Sequence, residues 1–168
     1  GAYVSFYTGL EIIPSDTNGD QDLYIFDVQA GTYTRADIDG DGTSGVPGNA
    51  GDYREFDISA DGSYVVFETR AAITGDDTNG RKDIYRYNAF DDTVTLVSKT
   101  PAGATETDRG AREPAMSGDG RYIAFWTGRD FVPEDTNGEW DLYIADMADG
   151  SFHLADIWGT RSPDDDVY

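Results

Sequence analysis

The sequence predicts an all-β fold: three four-stranded antiparallel repeats packed as β-propeller blades. Three observations predict it. Asp-Thr-Asn-Gly occurs three times, at Asp16–Gly19, Asp77–Gly80 and Asp135–Gly138. Each copy is followed by an Asp and an apolar, aromatic run, as in DLYIFD, DIYRYN and DLYIAD. A repeat of about sixty residues, made of short strand-like runs with no helical period, matches a blade of four strands.

Each element has its own signal. The runs YVSFYT (Tyr3–Thr8), YVVFET (Tyr64–Thr69) and YIAFWT (Tyr122–Thr127) alternate in polarity and read as strands. Ser-Ala-Asp-Gly and Ser-Gly-Asp-Gly precede the second and third of them, and Asp-Gly between apolar runs marks a hairpin. The strands before those turns are Glu55–Ser59 and Pro114–Ser117. A loop of about ten residues follows each alternating run. It carries an apolar pair that plugs it against the sheet: Ile12-Ile13, Ile73-Thr74 and Phe131-Val132. Next come the acidic motif and the inner strands Asp22–Asp27, Asp83–Asn88 and Asp141–Asp146, apolar on both faces as in a sheet covered on both sides. Last strands are expected at Tyr33–Ala36, Thr93–Ser98 and Ser151–Ala155. The chain reads as one propeller domain or half-propeller over 1–168, with units of approximately 1–54, 55–113 and 114–168. The first unit lacks its first strand, and the tail Ser162–Tyr168 falls where another first strand would begin.

Composition limits the partners. The 168 residues hold 33 acidic and 12 basic side chains, a formal charge of −21. Nucleic acid and anionic membrane surfaces are therefore unexpected partners, and cations are the natural counter-charge. No apolar run approaches membrane-spanning length, so no membrane insertion is expected. There is no Cys, which removes disulfides and thiolate metal sites. No signal peptide is visible at Gly1, as in a cytosolic, processed or trimmed chain.

The acidic loops read as metal sites. Oxygen-bearing residues at alternate positions wrap hard cations. The candidate ligands are Asp16, Asn18, Asp20 and Asp22 in the first loop; Asp77, Asn79, Arg81 and Asp83 in the second; and Asp135, Asn137, Glu139 and Asp141 in the third. Arg81 serves only through its backbone carbonyl, which leaves Asp, Asn and Asp as the shared side chains. A plain Asn-Gly turn explains Asn and Gly but not the flanking aspartates. Calcium suits many flexible oxygen ligands better than magnesium, and zinc lacks its usual donors. Asp37, Asp39 and Asp41 form a further acidic run, read equally as a solvated loop or an ion site.

The pattern S-x-D-G-x-Y-x-x-F … D-T-N-G-x-x-D-x-Y resembles the TolB-type, WD-like β-propeller repeats of bacterial secreted and periplasmic proteins. The third copy, MSGDGRYIAFWTGRDFVPEDTNGEWDLYIAD, carries it most fully. The resemblance implies the propeller fold and, in the subset with acidic loops, bound calcium; it implies no particular activity.

No catalytic set emerges, and no non-metal cofactor motif is present. His153 is the only His and sits in a strand-like run, and there is no G-x-S-x-G or phosphate-cradling Gly motif. Trp126, Trp140 and Trp158 fall in the last unit, and Trp140 stands inside an acidic loop, suited either to a sugar or protein contact or to packing. Three blades do not close a ring. The expectations are a fragment, a six-bladed pair of chains, or an open polymer joined through blade edges, with self-association favoured. The reading is a calcium-stabilised propeller, not an enzyme, with a structural, self-assembling or adhesive role outside the cytoplasm: extracellular, cell-surface or periplasmic. The alternatives are a partner- or glycan-binding propeller module, and a polysaccharide- or peptide-acting enzyme.

Overall fold

The computed structural model describes residues 2–38, 55–100 and 109–155. Eleven strands and no helix occur among them: β1 (Tyr3–Thr8), β2 (Asp22–Asp27), β3 (Thr32–Arg35), β4 (Phe56–Ile58), β5 (Tyr64–Thr69), β6 (Asp83–Asn88), β7 (Thr93–Leu96), β8 (Ala111–Met116), β9 (Tyr122–Thr127), β10 (Asp141–Asp146) and β11 (Ser151–Leu154). They form three antiparallel sheets in meander order: β1-β2-β3, β4-β5-β6-β7 and β8-β9-β10-β11. These are the three expected repeats, the first with three described strands. The tail Ser162–Tyr168 lies outside the described residues, as do Asp39, Asp41 and Trp158.

The Ser-x-Asp-Gly turns fold by local hydrogen bonding. Ser59 Oγ donates to Asp61 Oδ1 at 2.8 Å and accepts from the Tyr64 N–H at 2.9 Å. Ser117, Asp119 and Tyr122 repeat the arrangement. The glycine then turns back with φ of +74° at Gly62 and +72° at Gly120. Each also presses on a tyrosine of the preceding blade: a Cβ on Gly120 would lie 2.3 Å from the Tyr64 ring, and one on Gly62 2.3 Å from Tyr3.

The blades stack head to tail. In the second blade, β5 sends Val65 and Phe67 to one face and Val66 to the other, while β6 sends Tyr85 and Tyr87 one way and Ile84 the other. Val65, Phe67, Tyr85 and Tyr87 meet Leu23, Ile25 and Ala36 of the first blade. Val66, Ile84 and Val97 meet Ile123, Phe125, Tyr143 and Ala145 of the third. The same kind of face is used at both joints, so one rule of packing repeats. The loop plugs join it, with Ile73 in the first core and Phe131 in the second.

Five strands differ in their limits from expectation, β4 being one residue shorter at each end. β7 ends at Leu96, because Val97 N and Ser98 N both turn to Ile84 O and Ser98 swings its hydroxyl toward β6. β3 and β11 likewise stop one residue short. β8 starts at Ala111, three residues before the expected Pro114, and a bulge between Arg112 and Ala115 hides its alternation.

Candidate metal centre

The three acidic loops share one geometry. The first Asp is buried and its N–H closes a turn: Asp16 onto Ile13 O at 3.0 Å, Asp77 onto Thr74 O at 3.0 Å, Asp135 onto Val132 O at 3.1 Å. Eight residues on, the tyrosine of the inner strand donates its O–H to that carboxylate, as Tyr24 to Asp16, Tyr85 to Asp77 and Tyr143 to Asp135. Burial and the adjoining carboxylate push all three phenols above their ordinary range. The Asn works with both ends of its amide. Its Oδ1 accepts the N–H two residues on, from Asp20 at 2.9 Å, Arg81 at 2.6 Å and Glu139 at 2.8 Å. Its Nδ2 donates to the last Asp, at 3.0 Å for Asn18–Asp22, 2.7 Å for Asn79–Asp83 and 3.2 Å for Asn137–Asp141. The Gly that follows takes φ of +72°, +66° and +68° in turn.

This arrangement tests the calcium expectation. A calcium loop needs carboxylate and amide oxygens aimed at a common point. Here each Asn oxygen faces its own loop backbone, and its nitrogen faces the aspartate. The shared ligand set of Asp, Asn and Asp therefore does not converge. Asp20, Arg81 and Glu139 give their peptide N–H to the Asn.

The counter-charge in two loops is a guanidinium. In the second, Arg129 of the third blade reaches across the joint, with Nη1 2.7 Å from Asp83 Oδ1 and 3.0 Å from Ser98 O. Ser98 Oγ adds a bond to Asp83 Oδ1 at 2.6 Å. Arg129 is 2% exposed and Asp83 fully buried, so the ion pair is shielded from water. In the first loop, Arg35 of the same blade lies 3.4 Å from Asp16, 3.5 Å from Asp22 and 3.2 Å from Asp37. These three carboxylates are all buried. Burial raises the Asp22 pKa, with Asn18 and Arg35 opposing. Burial, then the Asp22 charge, pushes Asp37 up to about 7. In the second loop burial likewise raises Asp77. In the first two loops an arginine stands at the carboxylates where an ion was expected, and the third repeats their Tyr and Asn contacts. Tyr and Asn donors hold all three bends, and an arginine joins them in the first two.

The other flagged residues fall elsewhere. His153 is exposed on β11 opposite Ile144. Trp126 is half-buried on β9 opposite Leu142. Trp140 stacks against Arg112, whose guanidinium carbon lies 4.3 Å from the ring centroid. Trp140, Arg81 and Lys82 line one cavity at the joint between the second and third blades.

No family model matches the chain, and no curated protein matches it. Among solved structures it is similar to the tricorn protease, at TM-score 0.50 and 14% identity over 92% of this chain and 12% of that one. Three blades, a repeated joint and this likeness decide the fold. The chain folds as β-propeller blades. It also matches the AtxE2 isopeptidase at TM-score 0.48 and 11% identity, over 96% of this chain and 20% of that one. A prolyl endopeptidase matches at 0.47 and 19%, over 92% and 20%. The propeller segment thus spans an eighth to a fifth of the solved chains it matches.

Proposed function

We propose that this propeller module is structural and works by association, its end faces taking the blades of a second copy. One observation carries the reading: the packing rule that joins blades one, two and three leaves a matching pair of faces at the two ends. The outer face of the first blade carries Val4 and Tyr33, 49% and 42% exposed, with Phe6 and Phe26 beside them. The register equivalents of Val4, Phe6 and Phe26 in the second blade, Val65, Phe67 and Tyr87, are sealed within a joint. The outer face of the third blade carries Ala124, Trp126, Leu142 and Ile144, all half-buried. There Trp126 and Ile144 replace the second blade's Glu68 and Arg86, so this end is more apolar than the joint it copies. A head-to-tail contact of this kind closes a ring or runs on as a filament.

No catalytic step is part of this reading. Calcium is not needed for this reading, because arginines supply counter-charge in two loops. Sedimentation velocity tests the proposal. The chain is expected at the mass of a pair or larger, and Val4→Glu with Leu142→Glu is expected to return it to one copy. A single copy at about 50 μM, a concentration at which a contact of micromolar strength is populated, overturns the reading.

A further inference from the structure

The cavity beside the second acidic loop is unlike the rest of the molecule. It measures about 520 Å³ and lies where that loop meets β8. Arg70, Arg81, Lys82, Arg109 and Arg112 line it, five of the twelve basic residues in a chain of charge −21, together with the carboxylates Glu55, Glu68 and Glu113. Its volume is that of a small-molecule site. The five cations outnumber the three carboxylates, so the cleft keeps a positive excess in an otherwise acidic protein.

The cavity is built rather than incidental. Arg109 lies over Gly128, where a Cβ would stand 2.2 Å from its Cδ, and its Nη1 donates to Gly138 O at 2.5 Å. Its own carbonyl accepts from Arg129 Nε at 2.7 Å, so the inter-blade arginine also fixes this one. Arg112 is oriented by the Trp140 ring. Lys82 is pinned by Glu68 at 2.5 Å, and the second oxygen of Glu68 accepts the Glu113 N–H at 2.9 Å. Glu113 holds φ of +55° inside the β8 bulge. A non-glycine residue in that region costs energy, and such strain collects at functional sites.

The repeats diverge at this place. All three loops keep Asp, Thr, Asn, Gly and the final Asp, and they differ at the two residues between: Asp20-Gln21, Arg81-Lys82 and Glu139-Trp140. Arg81, Lys82 and Trp140 from these variable positions all face the one cavity. A constant frame with variable residues turned into a cleft is an arrangement that sets ligand choice.

We propose that this cavity binds a small carboxylate-bearing ligand, its anionic group held by the guanidinium groups of Arg81, Arg109 and Arg112 and its flat or sugar face set on Trp140. Arginine forks match carboxylates in two-point fashion, and the indole supplies an apolar platform. Uronate sugars and peptide C-termini share this chemistry.

Isothermal titration separates them. The probes are trigalacturonate against neutral trigalactose, and a tripeptide with a free C-terminus against its amide, all at low salt. One anionic probe is expected to bind and its neutral twin to fail, and added salt is expected to weaken the binding. Arg81→Gln and Arg112→Gln are each expected to weaken it about tenfold or more, the usual loss for a charge-assisted bond. Both sit on exposed positions, and Trp140→Phe provides a third variant that keeps all charges. Equal binding of charged and neutral probes, unchanged affinity in the arginine variants, or no binding of either anion at about 1 mM, the weak end of useful affinity, overturns the proposal.

Discussion

Arg129→Met is the sharpest test of how the acidic loops are held. The guanidinium makes three close contacts, to Asp83 Oδ1 and Arg109 O at 2.7 Å and Ser98 O at 3.0 Å. Methionine keeps much of the volume and removes every donor. Asp83, fully buried, then keeps only Ser98 Oγ and Asn79 Nδ2. Stripping one partner from a buried pair costs about 3–5 kcal/mol, because the remaining charge has no compensation. For a chain of this length each kcal/mol moves the thermal midpoint by about 2–4 °C, so a fall of roughly 6–20 °C is expected. Adding Asp83→Asn removes the stranded charge and is expected to recover more than half of the loss. Arg121→Met serves as the control. Arg121 bonds Asp146 through two nitrogens at 2.9 and 2.7 Å but is about half exposed, so its loss is expected to shift the midpoint far less. Thermal melts followed by circular dichroism measure all four proteins. A shift for Arg129→Met no larger than the control's, or its full reversal by millimolar calcium, would refute the reasoning.

The remaining predictions concern the loops and turns. Millimolar calcium against chelator is expected to give no saturable shift in the wild-type melting midpoint, whereas a saturable rise abolished by Asp77→Ala would restore an ion to the second loop. Asp37, raised to about 7 from its ordinary 3.8, holds a proton in the folded chain that the unfolded chain releases between those values. Its contribution is therefore fully present below about pH 4 and is lost as pH rises to about 7. The stability difference between wild type and Asp37→Asn, from denaturant titrations, is expected to change across that window, and a constant difference would contradict the burial. Gly120→Ala meets both a ring at 2.3 Å and a φ of +72°, and is expected to cost about 2–4 kcal/mol. Tyr64→Ala in the same chain should relieve the clash and leave the strain, so the second change should restore part of the stability measured by urea titration.

The blade plan was legible because strand signals act locally and were repeated. Tyr64–Thr69 and Asp83–Asn88 begin and end where alternation and the preceding Asp-Gly or Asn-Gly turns place them. The start of β8 was not legible. A bulge at Glu113 throws Arg112 and Pro114 out of alternation, and the cause is a contact with Glu68, 45 positions away. In the acidic loops the residue types were legible and their directions were not. An amide places oxygen or nitrogen toward the aspartate with equal ease as a sequence letter, and only the backbone N–H two residues on decides which. The tyrosine partners could have been found, since Tyr24, Tyr85 and Tyr143 each stand eight residues after the first Asp of their loop.

The arginines escaped for a reason that says something about the fold. Arg35 pairs in register with Tyr24, at the place where the second and third blades carry Leu96 and Leu154. Arg129 follows the end of its strand by two residues, at the place of Ala71 and Leu10. A repeat comparison therefore reads each arginine as an isolated exception. In space both arrive at one kind of point, the buried Asp that opens the inner strand. Where the first blade supplies Arg35 from within, the neighbouring blade presents the small Ala71; where the second blade offers Leu96, its neighbour sends Arg129 across. In these two loops one arginine meets the buried carboxylates, and the blade that provides it differs. When the neighbour provides it, charge neutrality inside one blade depends on the presence of the next, so the acidic loop that looked like an ion trap acts as a lock between blades.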